Sequence, residues 1–297
     1  MRNVRVLASV GLAVAALVAL SGCNSGSPTG SSGTQSAGDK PLFEVASNVS
    51  LSGSATFDRI KKNGKITIGV KEDQPGLGYK DATTGKRSGF DIDIARWIAA
   101  SLGFSDDKIT YKAIASANRE QAIKNGDVDY YVGTYSITDK RKESVSFAGP
   151  YFVTGQGLLV RKSETAIKSE KDLAGKTVCS ATGSTPLQNI QKNYPDTKTV
   201  GLDVYSACVD QLIGKQVDAV TTDQAILIGY AAQDPDELKV VGEPFTTERY
   251  GVGLTKGDTA FQGFVNKMFT DGGSTWSAIF AKNLGASGLT VTQPAVE

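Results

Sequence analysis

The feature that most constrains the fold of this chain is a pattern written twice. "GKITIGV" from Gly64 is echoed by "GKTVCSA" from Gly175, and "GDVDYYVGT" from Gly126 by "KQVDAVTTD" from Lys215. Both second members follow a helical segment, carry Val-Asp at the strand start and end in Thr-rich polar sequence. From "KITIGV" onward strand and helix signals alternate, which argues for α/β architecture. Two copies of one plan predict two α/β lobes, each presenting a polar loop at the carboxyl end of a strand. In open α/β sheets that edge is where ligands bind.

The first strand, residues 65–70, leads into the loop "KEDQPGLGYKDATTGKRSG". In "FDIDIARWIAASLGF", Phe90, Ile94, Trp97, Ile98 and Leu102 recur at helical spacing and mark a core-packing helix. "ANREQAIKNG" predicts a short helix that Ser116 or Asn118 caps and Gly126 ends. "VDYYVGTY" is the next strand, and "VGTYSITDKR" then empties into Thr134, Tyr135, Ser136, Thr138, Asp139 and Arg141. Thr138 is placed to cap a short helix there. Further on, Thr185 as N-cap and Pro186 at N1 open a helix whose N-terminus suits an anion. Two late stripes, Phe261, Phe264, Val265, Met268, Phe269 and then Trp276, Ile279, Phe280, Leu284, read as core faces of amphipathic helices.

The amino terminus "MRNVRVLASVGLAVAALVALSGC" has a positive n-region, an apolar h-region and small residues before Cys23, the layout of an export signal. Leu20, Ser21, Gly22 and Cys23 resemble a bacterial lipobox, in which the cysteine is diacylated and the chain stays tethered to the extracytoplasmic face of the membrane. The alternative is a plain secretory signal with a stray cysteine. Residues 24–40 are rich in Gly and Ser without apolar period, a flexible leash. Ordered structure is expected to begin near Thr56. The remaining roughly 240 residues suffice for one large or two ordinary domains.

Net charge is +1, so nothing favours nucleic acid or an anionic surface as partner. There is no histidine, which excludes Ser-His-Asp and Cys-His catalysis and every His-based metal site. No metal or cofactor is expected. Beyond Cys23 the cysteines are Cys179 and Cys208. In an exported chain such a pair is most often a disulfide; two buried free thiols are the alternative.

"SGFDIDIARWIAASLG", "NGDVDYYVGTYSITDKRKESVSFAGPYF", "DLAGKTVCSATGST" and "GVGLTKGD" resemble the polar amino-acid-binding proteins of ABC importers, the family 3 solute-binding proteins. The likeness runs from about residue 56 to 284, and "SANRE" and "CSATGST" look most like the glutamate-binding type of high-GC Gram-positive bacteria. The resemblance implies a type II periplasmic-binding-protein-like fold, two lobes joined by two crossing strands with the ligand in the cleft. It divides the chain into a signal peptide (1–22), lipidated cysteine and linker (23–55), one lobe (56–150 with 248–290) and a second (151–247).

By the same resemblance Arg141 pairs bidentately with the ligand α-carboxylate, a role that suits a guanidinium fork. Ser136 holds the same head group, and the Thr134 carbonyl accepts from the α-ammonium. Thr182 and Gly183 offer backbone N–H groups, and Asp223 pairs with the ammonium. Arg119 faces the distal carboxylate, with Lys71 as a second cation. Tyr135 either lines the pocket or packs the core, and the aromatic clamp of glutamine binders is not clearly matched.

The expected function is capture of an acidic amino acid, most of all glutamate, by a monomeric lipid-anchored receptor that delivers it to a membrane permease. A glutamine, asparagine or broader polar amino-acid binder is one alternative. A ligand sensor, or an enzyme on the same scaffold with Glu72 or Asp73 as general acid, is another.

Overall fold

The computed structural model describes residues 41–297; the expected signal peptide, Cys23 and the Gly/Ser segment to residue 40 lie outside the described residues. Up to the first crossing between sheets the strands are β1 (Ile66–Val70), β2 (Asp73–Gln74), β3 (Gly78–Lys80), β4 (Arg87–Ser88), β5 (Ile109–Ala113), β6 (Tyr130–Tyr131) and β7 (Ser146–Thr154). After it come β8 (Gln156–Arg161), β9 (Thr177–Ala181), β10 (Lys198–Leu202), β11 (Ala219–Asp223), β12 (Leu238–Val241) and β13 (Glu248–Leu254). One five-stranded sheet has the order β5-β1-β6-β13-β7 and a second β10-β9-β11-β8-β12. In the first, β1 pairs in parallel with β5 and β6; in the second, β9 pairs in parallel with β10 and β11. The doubled sequence pattern is a doubled sheet plan.

The two Val-Asp aspartates show why the pattern repeats. Thr67 N–H donates to Asp129 Oδ2 at 2.7 Å, and Thr177 N–H donates to Asp218 Oδ2 at 2.8 Å. Each aspartate N–H donates back to the carbonyl of the same threonine, at 2.7 and 2.8 Å. The carboxylate thus saturates the peptide group at which the parallel pairing starts, once in each lobe.

Helices cover the sheets: α1 (Ala55–Asn63), α2 (Phe90–Ser101), α3 (Arg119–Lys124), α4 (Asp139–Lys142), α5 (Thr185–Asn193), α6 (Tyr205–Ile213), α7 (Gln224–Gln233), α8 (Thr259–Asp271) and α9 (Gly273–Leu284). The predicted stripes are core. Helix α2 buries Phe90, Ile94, Trp97 and Ile98, α8 buries Phe261, Val265 and Phe269, and α9 buries Trp276, Ile279 and Leu284. Phe90 meets Trp276 edge-on, and Trp97 meets Phe269 likewise, with ring centroids 5.7 Å apart in each case. Each such side chain contributes about 1.5–3 kcal/mol of burial.

Three local expectations change. Leu42, Phe43, Val49 and Leu51 pack against the core, N-terminal to Thr56; scattered apolar residues without a period give no sequence signal. The long loop after β1 contains the small sheet β2-β3-β4, whose strands are too short to show alternation. Conversely, only Tyr130–Tyr131 of "VDYYVGTY" is strand, because its ladder pairing with β1 and β13 is confined to those two residues.

The chain passes from one sheet to the other between β7 and β8, and returns between β12 and β13. Strands β7 and β13 pair antiparallel from Glu248↔Thr154 to Leu254↔Ser146. A Cβ at Gly155 would lie 2.2 Å from Thr246 O, so only glycine lets the two connections pass. These are the two crossing strands. The register Asp223↔Gln156 sets the end of β11 directly against the crossing. Cys179 of β9 and Cys208 of α6 form a disulfide with Cα atoms 5.5 Å apart.

Candidate functional site

The polar edge left by β6 is held in shape from below. Thr134 has φ 47°, a left-handed conformation that a β-branched residue adopts only when its surroundings impose it. Here its N–H donates to Asp91 Oδ2 at 2.8 Å, and its hydroxyl lies 3.1 Å from the Gln74 side-chain amide. Asp91, buried in the first turn of α2, also accepts from Tyr151 Oη at 2.9 Å. Burial raises its pKa to about 6, opposed by those two hydrogen bonds. Ser136 bridges to Tyr250 of β13, and Thr138 caps α4 by accepting from Arg141 N–H at 3.2 Å.

That cap sets Arg141 in the cleft. Its Nε donates to Glu120 at 3.1 Å, Nη1 to Ser136 O at 2.7 Å, and Nη2 across the cleft to Gly183 O at 3.0 Å. Arg119 donates to Ser116 O and Thr134 O, at 3.0 and 3.3 Å. Both guanidinium groups stack on Tyr135, 4.5 Å (Arg119) and 4.9 Å (Arg141) from its centroid. Tyr135 is fully buried in a core cluster, so it serves as floor of the site and as core together. Burial pushes its hydroxyl pKa up, as does Glu120.

Lys71 completes the cationic side. It is 3% exposed and donates to Ser116 Oγ at 2.8 Å. Burial, then the neighbouring Arg119, lowers its pKa to about 7. Lys71, Arg119 and Arg141 are therefore buried cations close enough to repel one another.

The second lobe brings one carboxylate and one helix. Asp223 is buried at the end of β11; its Oδ2 accepts from Tyr250 Oη at 2.6 Å, while Oδ1 has no hydrogen-bond partner. Burial, then Glu248, raises its pKa to about 8. Helix α5 is capped by Ser184, whose Oγ accepts from Leu187 N–H at 3.1 Å. Thr185 is its first residue and Pro186 its second, a correction by one position: of two adjacent hydroxyls, the extended Ser184 reaches the third helical N–H. Thr185 hydroxyl instead donates to Glu248 at 2.9 Å and meets Ser136 Oγ at 3.3 Å, closing the cleft.

Of the residues expected in the site, Lys71, Arg119, Thr134, Ser136, Arg141, Gly183 and Asp223 meet around the cleft. Thr182 does not. It is exposed, and its N–H donates to Leu202 O at 2.7 Å, which continues the β9–β10 pairing one residue too far for it to serve a ligand. The Thr134 carbonyl, expected to accept from an ammonium, accepts from Arg119. Asn118 does not cap α3 with its side chain; Ser116 turns its hydroxyl to Lys71. The sequence reading missed Asp91, Gln74 and Tyr250. Two aspartates in the first turn of a largely apolar helix were the available signal for Asp91; Gln74 and Tyr250 had none.

Glu72 and Asp73, the candidate general acids, are engaged elsewhere, Glu72 with Arg87 and Asp73 with the N-terminus of α6. Among the described residues no cluster of metal-ligating side chains occurs, and no helix is long and apolar enough to cross a membrane.

Residues 66–286 match the model of the bacterial extracellular solute-binding proteins, family 3. The chain belongs to that family. Its relatives include the glutamate-binding protein GluB of Corynebacterium efficiens, 41% identical over 78% of this chain and 83% of the relative. The glutamine-binding protein of Geobacillus stearothermophilus is 40% identical, over 82% of this chain and 90% of the relative. Among solved structures, an ancestral arginine-binding protein bound to arginine superimposes with TM-score 0.69 at 36% identity, over 75% of this chain and 99% of its own. The cysteine-binding protein from Campylobacter jejuni gives TM-score 0.73 at 29% identity, over 81% and 98%. The family 3 architecture accounts for the two sheets and the crossing strands between them.

Proposed function

We propose that this family 3 protein captures an acidic amino acid, glutamate above all, between its lobes and delivers it to an ABC permease, tethered to the extracytoplasmic face through Cys23. The observation that carries the reading is charge. Arg141 is ion-paired with Glu120, but the buried Lys71 and Arg119 have no carboxylate within ion-pair distance among the described residues, and the second-lobe wall offers Asp223 with one carboxylate oxygen unpartnered. A zwitterion needs one cation and one anion; the surplus cations match a second carboxylate. The relatives named glutamate-binding agree with this. An arginine side chain would meet like charge.

In this reading Arg141 and the Gly183 turn hold the α-carboxylate, Ser136 and Thr134 the head group, and Asp223 the α-ammonium. Arg119 and Lys71 take the distal carboxylate. Glutamine is the second reading, favoured by a relative of nearly equal identity with that name.

Calorimetry with glutamate, aspartate, glutamine and arginine decides. Arg141→Lys keeps the charge but loses the fork, and is expected to weaken every ligand about tenfold or more. Arg119→Ala is expected to weaken glutamate at least about tenfold while changing glutamine little. Glutamine binding tighter than glutamate in the unaltered protein sinks the acidic reading. Loss of palmitate labelling in Cys23→Ala cells tests the tether.

A further inference from the structure

A second set of contacts joins the lobes beside the cation cluster. Helix α6 begins after Val204, which occupies the N-cap position with extended backbone and no side-chain acceptor. Valine is among the poorest N-cap residues, because it leaves the first helical N–H groups without a partner. The missing acceptor comes from the other lobe. Asp73 Oδ2 accepts from Tyr205 N–H at 2.9 Å and from Ser206 N–H at 3.3 Å. Tyr230 Oη of α7 donates to the backbone carbonyl of Asp73 and lies 3.3 Å from the same carboxylate oxygen. Two residues on, Pro75 seats against Gly229 of α7, where a Cβ would lie 2.3 Å from Pro75 O. A glycine in the middle of a helix costs helix propensity; here it makes room for a backbone from the opposite lobe.

We infer that residues 73–76 are a latch: a first-lobe segment that caps α6 and seats on α7 only when the lobes close, setting ligand affinity without touching ligand. In the open arrangement the α6 N–H groups and the Tyr230 hydroxyl turn to water, so the latch adds a term to closure and none to the folding of either lobe. Because the contacts must break before ligand leaves, they act on dissociation. Asp73 and Gly229 are positioning residues for the cleft, and their effect is the same for every ligand that closes it. The latch rests on the proposed reading only for the choice of ligand.

The test measures association and dissociation of glutamate and of glutamine by stopped flow, with the radius of gyration from X-ray scattering, for Asp73→Ala, Tyr230→Phe and Gly229→Ala. Asp73 also lies near Lys71, so Asp73→Ala alone is ambiguous; Gly229→Ala changes no charge. The expected result is dissociation faster by about fivefold or more in Asp73→Ala and Gly229→Ala, and by less in Tyr230→Phe. Association should be unchanged and the glutamate-to-glutamine ratio preserved. Asp73→Asn, which keeps an acceptor, recovers part of the loss. Unchanged dissociation in Gly229→Ala overturns the latch, as does an Asp73→Ala effect confined to glutamate, which belongs to Lys71. If the unaltered chain binds neither amino acid, the ligand reading fails. The latch is then tested with whichever amino acid of a wider panel compacts the unaltered chain, and it falls if that amino acid leaves Gly229→Ala no faster.

Discussion

Burial shifts the pKa values of two residues in the cleft toward neutrality, and the directions predict how binding depends on pH. Lys71 is lowered to about 7, chiefly by burial, and Asp223 is raised to about 8, also chiefly by burial. A bound glutamate favours the charged form of both. Below about 7, Lys71 is already protonated while Asp223 must release a proton on binding, so affinity rises with pH. Above about 8, Asp223 is already ionised while Lys71 must take a proton up, so affinity falls. Calorimetry across the range should give a bell-shaped affinity with its maximum between about 7 and 8. Lys71→Met should remove the falling limb and keep the rising one. A profile flat through this range would show that these two groups do not meet the ligand.

Among the elements, α5 carries the second lobe's contribution, and its start depends on one hydroxyl. Ser184 Oγ accepts from Leu187 N–H and lies 3.2 Å from Ser180 Oγ, fixing the Gly183 turn that faces Arg141. Ser184→Ala is expected to cost about 1 kcal/mol in denaturant unfolding, with a smaller loss of ligand affinity as the turn loosens. Thr185→Ala, at the position the sequence suggested for the cap, should instead spare unfolding and weaken closure, since its hydroxyl reaches Glu248 and Ser136. An equal stability loss in both variants would show that the two hydroxyls share the cap.

For the whole molecule, the disulfide links the two parts of the second lobe that meet the first. Cys179 lies in β9, which leads to the Gly183 turn, and Cys208 lies in α6, which Asp73 caps. The bridge spans 29 residues of sequence; closing a loop of that size stabilises by about 3–4 kcal/mol on the chain-entropy estimate. Replacing both cysteines by serine should lower the unfolding midpoint accordingly, and weaken ligand binding as α6 shifts against β9. Unchanged binding with a lowered midpoint would confine the bridge to stability.

By itself the sequence determined the α/β class, the doubled plan and the aromatic core faces. These rest on local rules: helical spacing, strand signals, a Val-Asp repeated at two strand starts, and Thr138 three residues before Arg141. The family resemblance added the roles but named Thr182, whose N–H the sheet had already claimed from Leu202. Only the tertiary structure decided which polar groups meet across the lobes. Arg141 with Gly183, Asp223 with Tyr250, and Asp73 with Tyr205 are separated by 42, 27 and 132 residues. No periodicity links such pairs. They are brought together by lobes closing about a crossing that passes only because Gly155 has no side chain.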